Sequence, residues 1–351
     1  MEKSKKIRRT PILILLMLAG MSVSLGQNKP VSPILTGHYL PGVINVRDFA
    51  NPSPASGLIA LDYNLFLSGD KFFGADGERV TQIKGPAGAP IDLNVDLNGY
   101  LNTPFPVWVS KFKILGANYI TGATVGYTTV STNSAYERIG IIDSIHQSGN
   151  VTGKVSGFSD LGVIPVFLSW GMKTLDITAG YMFYAPTGKY EPGGSENIGV
   201  GFWSHIFQCF AYYYPMKIKG EVSKALAIML APTYEITSKI KKADVNPGNR
   251  FYLDYGINQY LSSKFSLGVF GGNSWQVSED KGSEVYWNTS IKDKSAVFGF
   301  EAGYWPWADR LQITGKYGFN YGSVQSFKLN IFEINLLFIT NVLTGNKTEK
   351  K

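Results

Sequence analysis

Cysteine occurs once in this chain, at Cys209, and histidine three times, at His38, His146 and His205. A lone cysteine closes no internal disulfide, so a small stapled scaffold is excluded. It reads as a small apolar residue rather than a reactive thiol. The histidines are far apart and carry no HExxH or paired ligand spacing, which leaves no sequence case for a metal enzyme. Charged residues make up 17% of the 351, below the roughly 25% of ordinary soluble domains. Beyond the first residues the chain also lacks the run of roughly 18 apolar residues that marks a membrane helix. The best candidate, "LNIFEINLLFITNVL" from Leu329 to Leu343, is broken by Asn330, Glu333 and Asn335. Helical spans are excluded by this, but a closed barrel is not.

The start, "MEKSKKIRRTPILILLMLAGMSVSLGQ", places Lys3, Lys5, Lys6, Arg8 and Arg9 before a short apolar core and then small residues ahead of Gln27. That order predicts a secretory signal peptide over residues 1–26, cleaved on export, with a retained transmembrane anchor as the competing reading, against which the shortness of the apolar core speaks. These residues carry +4 of the formal +7, because Glu2 offsets one of five cations, so the remainder holds +3. So small a charge gives no reason to expect a nucleic-acid partner.

What the chain has in abundance is glycine, 39 residues, with 20 Tyr and 21 Phe. It also alternates. In "LQITGKYGFNYG" (Leu311–Gly322), Leu311, Ile313, Tyr317, Phe319 and Tyr321 fall on one face and Gln312, Thr314, Lys316 and Asn320 on the other. Twelve residues of period two exceed the usual strand of about 5 to 6 and fit a tilted membrane strand of about 9 to 11. Leu175 to Tyr184 behaves likewise. From Ile59 to Leu67 the apolar face is Ile59, Leu61, Tyr63, Leu65 and Leu67, against Ala60, Asp62, Asn64 and Phe66. In each, one face suits lipid and the other a lumen.

About thirteen such runs occur, among them 91–101, 107–115, 117–131 and 325–340, separated by short turns and by polar segments such as 68–90, 132–157 and 186–198. Allowing one split run, the pattern predicts an all-β, transmembrane antiparallel β-barrel of about 12 strands, with 14 the next count. In the last run the apolar residues change phase, from Leu329 and Ile331 to Ile334, Leu336 and Phe338, which predicts a bulge or kink near Phe332 and Glu333, or else a short turn there. Tyr212, Tyr213 and Tyr214, and Trp305 with Trp307, cluster at expected strand ends as membrane-rim candidates. Phe66, Met182 and Tyr184 are inward candidates for a solute path.

No catalytic constellation emerges. "DLNVDLNG" from Asp92 puts Thr103 where a calcium loop needs glutamate. Ser204 beside His205 occupies the opposite face of any strand. "PTGKY" lacks the first glycine of a phosphate loop, position 183 being Phe, and its final Ser or Thr, position 190 being Tyr. The reading is therefore of a non-enzyme without cofactor or metal.

Four stretches carry a resemblance: "GHYLPGVINVRDFANPSPASGL" (Gly37–Leu58), "FSDLGVIPVFLSW" (Phe158–Trp170), "YAPTGKYEPGGSENIGVGFW" (Tyr184–Trp203) and "GGNSWQVSEDKG" (Gly271–Gly282). In these the chain resembles the meta-pathway phenol-degradation family of outer-membrane barrels. The resemblance implies a Gram-negative outer-membrane barrel proposed to pass aromatic or other hydrophobic compounds, without a catalytic residue set. A departure is the polar end "TGNKTEKK", where many such barrels finish on an aromatic residue.

The expected layout is a signal peptide (1–26), a Pro- and Gly-rich segment (27–56) that either plugs the barrel or lies in the periplasm, the barrel (57–341) and a polar tail (342–351). The expected function is passive passage of a small hydrophobic or aromatic solute across the outer-membrane bilayer. Two alternatives share much of the pattern: a structural or adhesive barrel that transports nothing, and a soluble exported β-barrel that binds lipid. The solute and any oligomeric partner are not written in the sequence.

Overall fold

The computed structural model describes residues 35–50, 56–84, 90–139, 146–192, 196–308 and 310–340. The expected signal peptide, residues 27–34 and the polar tail lie outside them. Twelve long strands form the wall: β1 (Gly57–Phe73), β2 (Pro90–Ile114), β3 (Ala117–Ile139), β4 (His146–Gly171), β5 (Leu175–Ala185), β6 (Ser204–Tyr213), β7 (Leu226–Thr237), β8 (Arg250–Tyr260), β9 (Phe265–Gln276), β10 (Lys294–Trp307), β11 (Leu311–Val324) and β12 (Ser326–Ile339). Each pairs antiparallel with its sequence neighbours, and β1 also pairs with β12, from Ile59 opposite Ile339 to Phe73 opposite Ser326. The sheet therefore closes and has no free edge. Among the described residues no helix is long and apolar enough to cross a membrane.

The expected runs 91–101 and 107–115 are one strand, β2, which brings the count to twelve. The residues expected as a loop, 132–157, largely extend β3 and β4, which pair from Asn118 opposite Ser169 out to Ile139 opposite His146. These strands hold 23 and 26 residues, far more than the roughly 9 to 11 a bilayer requires. One end of the barrel carries tight turns. Leu115 and Gly116 both have positive φ (51° and 79°) between β2 and β3, the geometry of a two-residue hairpin turn whose twist matches that of its strands. Longer connections such as 186–203 and 277–293 occupy the other end.

Burial shows which face is inside. In β11, Gln312, Thr314, Lys316 and Asn320 are buried while Ile313, Tyr317 and Tyr321 are exposed, so the polar face turns to the lumen. β1 reverses the rule: Ile59, Leu61, Tyr63 and Leu65 are buried, while Asp62 and Asn64 join the outward face. The apolar face of β1 has partners inside, because Val46 and Phe49 of the amino-terminal segment belong to the same buried cluster. The bulge expected at Phe332 and Glu333 is absent. Pairing of β11 with β12 runs unbroken from Leu311 opposite Phe338 to Phe319 opposite Asn330, and the irregularity sits instead in β1, between Ser68 and Lys71. Ile331 faces inward as part of the same interior cluster, which accounts for the apparent change of phase without a bulge.

Candidate functional site: the occupied lumen

Residues 35–50 touch inward-facing side chains of strands all around the ring, which places this segment within the lumen. It runs from the long-loop end to the tight-turn end. At the first, Arg250 donates to the Leu35 carbonyl at 2.6 Å. At the second, Arg47 donates to the carbonyls of Lys224 and Ala225 at 3.0 and 2.7 Å and to Asn258 Oδ1 at 2.6 Å, and its guanidinium lies over the Tyr260 ring.

Between these ends the wall supplies charge to the segment's backbone. Asp254 accepts the Gly42 amide at 2.8 Å and the Tyr39 hydroxyl. Glu301 accepts the Val46 amide at 3.1 Å. Lys316, fully buried, donates through Nζ to the carbonyls of Gly42, Val43 and Ile44 at 2.6, 2.8 and 3.0 Å. Its charge faces Glu333 at 3.6 Å and lies over the Phe270 ring at 4.2 Å. Gly42 adopts φ +83°, and a Cβ there would meet Val297 Cγ1 at 2.7 Å, so the chain turns under Lys316 only with glycine. These donors and acceptors satisfy a loop-like backbone that would otherwise be buried without partners.

The lumen is not uniform. On the β1 to β6 side the segment meets apolar groups, including Leu61, Phe105, Ile120, Phe167 and Phe210, with Phe49 stacked on Phe210 at 4.5 Å. On the β7 to β12 side it meets the carboxylates, amides and Lys316 just described. Buried apolar groups are more numerous on the β1 to β6 side and charged contacts to the segment's backbone on the β7 to β12 side, but the division is not complete: Thr178 and Tyr212 bond Phe49 on the first, and Met229, Phe270 and Ile331 join the apolar cluster on the second.

Near the long loops, His38 joins three elements. Its Nδ1 lies 2.6 Å from Ser204 Oγ and its Nε2 3.0 Å from Asp160 Oδ2. Tyr184 stacks on it at 4.6 Å. Ser204 gives its own proton to Glu235, so His38 Nδ1 must donate to Ser204, and Nε2 must donate to the carboxylate. With both nitrogens donating, this arrangement suits the protonated ring. Asp160 also accepts the Gly188 and Val200 amides at 2.8 and 2.9 Å, tying the loop 186–203 to the same point. A Ser-His-Asp grouping exists here, but the Ser204 hydroxyl is directed to Glu235 rather than to His38, and Ser204 and Glu235 are fully buried. The grouping is a clasp.

His38 lies outside the strands. Burial alone would lower its pKa, but the bonds to Asp160 and Glu235 and their charges outweigh burial and raise it above the usual 6.5. A raised folded-state value means the clasp stabilises fully below the unfolded pKa and fades as pH climbs through the folded one. Conductance across a planar bilayer is accordingly expected to stay low below the ordinary histidine value of 6.5 and to rise only as pH climbs through the raised folded value, with that rise abolished in His38→Gln. Conductance that grows on acidification instead would contradict this arrangement.

The sequence-selected residues fall into different places. Met182 is buried in the interior cluster, and Tyr184 stacks on His38. Phe66, expected inward, is 45% exposed on the outer wall between Tyr100 and Phe332, because β1 presents its other face to the lumen. Of the rim candidates, Tyr213 and Trp307 face outward, 51% and 54% exposed. Tyr212 and Tyr214 do not. Tyr212 is fully buried and its hydroxyl accepts the Phe49 amide at 3.2 Å, and Tyr214 donates to Asp176 at 2.6 Å. Three consecutive strand-end tyrosines alternate faces, so only the middle one reaches the rim. Trp305 is half-buried, with Nε1 donating to the Tyr260 hydroxyl at 3.2 Å. Lys316, Asp160, Glu235, Asp254 and Glu301 were missed as a set. The available signal was charge on the polar face of long alternating strands.

The sequence model of the family described as "Putative MetA-pathway of phenol degradation" matches residues 69–330. No curated protein matches the chain in sequence. Among solved structures, an outer membrane channel from Pseudomonas putida F1 is similar at 13% identity and TM-score 0.60, over 84% of this chain and 99% of that one. A Pseudomonas aeruginosa FadL homologue aligns at 9% identity over 81% and 90%, with a TM-score of 0.34, too low to carry an argument. The first likeness establishes the barrel fold.

Proposed function

Because this chain belongs to the family described as "Putative MetA-pathway of phenol degradation", matched over residues 69–330, we propose that it is an outer-membrane channel for passive passage of small hydrophobic or aromatic compounds, with residues 35–50 as its plug. The observation that carries this reading is the two-sided lumen. Charged anchors of the plug's backbone come mostly from β7 to β12, while β1 to β6 contribute the larger share of the aliphatic and aromatic groups on which a greasy solute can rest.

A seam in that oily wall supports the reading further. The β2–β3 ladder pairs Asn102 with Tyr127 and next Val107 with Gly122, in the same register, with no paired rows between. Pro104 and Pro106 lie in the gap, and proline has no N–H to give a ladder. Thr124 Oγ1 reaches across at 2.8 Å to satisfy the Pro104 carbonyl. Phe105 and Ile120, beside this seam, belong to the apolar interior. In this reading the seam, whose rows lack backbone pairing, is where a hydrophobic solute passes between the lumen and the lipid, around the plug.

The test is paired. In a planar bilayer the protein is expected to conduct ions poorly, while cells carrying it take up a small aromatic probe faster than cells without it. A large, steady ion conductance with unchanged uptake of every hydrophobic probe would replace this reading with a general porin.

A further inference from the structure

At the long-loop end of β9 to β12, a groove of about 450 Å³ opens between the wall and the connection after β1. The turn at Gly74 and Gly77 folds onto it: the Gln325 amide donates to the Gly74 carbonyl at 3.0 Å. Lys294 and Lys328 line it, with Asn273, Trp275, Tyr321 and Ser323. Neither lysine forms an ion pair among the described residues, although Arg250, Lys224 and Lys316 all do. Asp76 is the one carboxylate in the lining, and its Oδ1 already accepts the Glu78 amide at 2.9 Å. The groove is therefore net positive. Ser323, paired with Ser295 in the next row, turns its buried hydroxyl to the inner face, so the outward groups of the groove are Lys294, Lys328, Trp275, Asn273 and Tyr321.

Strand pairing sets Trp275 opposite Lys294 and Lys294 opposite Val324, so lysine and indole share the outer side of the wall. Farther from the loops on the same side lie Tyr255, Phe298, Phe319 and Phe300, with Phe298 edge-on to Phe319 and Phe300 at 6.1 and 5.5 Å. An aromatic bed below two uncommitted lysines, at the long-loop end of the strands, suits an amphiphile with acyl chains below and an anionic head above. Lysine meets phosphate as a point charge, and the amide and hydroxyl groups here supply sugar-type hydrogen bonds. We propose that this groove seats the phosphorylated sugar head of an outer-leaflet glycolipid, whose acyl chains lie along the aromatic wall. This rests on the outer-membrane placement of the barrel, not on its transport of any solute.

The test uses the full folded chain in detergent, titrated with bisphosphorylated lipid A while its thermal unfolding is followed. Lipid A is expected to raise the unfolding temperature, and the apparent affinity to fall about tenfold with dephosphorylated lipid A and again in Lys294→Gln/Lys328→Gln. The wild-type comparison of the two lipids needs no variant, and a gel shift between unheated and boiled samples verifies that the variant is folded. Equal affinity for both lipids, or an unaffected variant, would overturn the assignment. So would equal stabilisation by inorganic phosphate at the same concentration, which would make the groove a site for a free anion. Uptake of the aromatic probe is expected to be unchanged in the double variant, so loss of uptake in the parent protein counts against the channel alone. Recovery of the protein outside the outer-membrane fraction would remove the shared premise.

Discussion

Replacing Lys316 with methionine is expected to convert a nearly silent barrel into a conducting one. The change strips three carbonyls of the plug, at Gly42, Val43 and Ile44, of their donor and leaves Glu333 buried opposite no cation. Breaking a buried charge pair by removing one partner costs about 3 to 5 kcal/mol, and even about 3 kcal/mol is a hundredfold change in an equilibrium. The barrel wall cannot easily absorb that cost by opening, because every strand is paired on both sides. The plug can, since its loop-like backbone is held to the wall by side chains. Single-channel recordings should therefore show frequent open events in Lys316→Met that are rare in the parent, with both proteins still shifting on a gel between unheated and boiled samples. Lys316→Met/Glu333→Leu removes both buried charges and is expected to conduct less than the single variant. Identical traces for parent and single variant would mean that the plug is held elsewhere.

Sealing the β2–β3 seam is expected to have the opposite selectivity. Pro104 and Val125 stand opposite one another within the unpaired rows, given the register of Asn102 with Tyr127 and Val107 with Gly122. Opposed residues of antiparallel strands have Cβ atoms about 4.5 to 5.5 Å apart, close enough for a small backbone adjustment to bring two cysteines into disulfide geometry. In a Cys209→Ser background, Pro104→Cys/Val125→Cys should, once oxidised, lower uptake of the aromatic probe to that of cells without the protein. Ion conductance should be unchanged, and reduction should restore uptake. Full uptake through a verified disulfide would send the solute along the barrel axis instead.

The sequence revealed the wall far better than its contents, for a physical reason. A strand between lipid and lumen must alternate, and Leu311 to Gly322 announces this directly. Rows of the ring could be counted because turns such as Leu115–Gly116 interrupt that rhythm. What alternation does not say is which face is inner when the lumen is itself partly oily. β1 was misread on this point, and with it Phe66, because Val46 and Phe49 create an apolar environment that only the folded chain assembles. Ser204 shows the same limit: it was weighed against its neighbour His205, while its actual partner, His38, lies 166 residues away.

The plug's contacts also dictate an order of assembly. Gly42 and Asn45 find their partners in Lys316 and Asn335, 274 and 290 residues later. Such separations are the slowest contacts a chain can make. The plug meets Ser204, Tyr212 and Asp254 on earlier strands, but its grip is complete only when the last strands are in place, at the same stage that Ile59 meets Ile339 and the ring closes. Until then Asp254, Glu301 and Lys316 face an unfinished, wet interior, where their charges are solvated at little cost. Filling the lumen and closing the ring become one cooperative event, so a chain arrested before its twelfth strand would have neither a wall nor a seated plug.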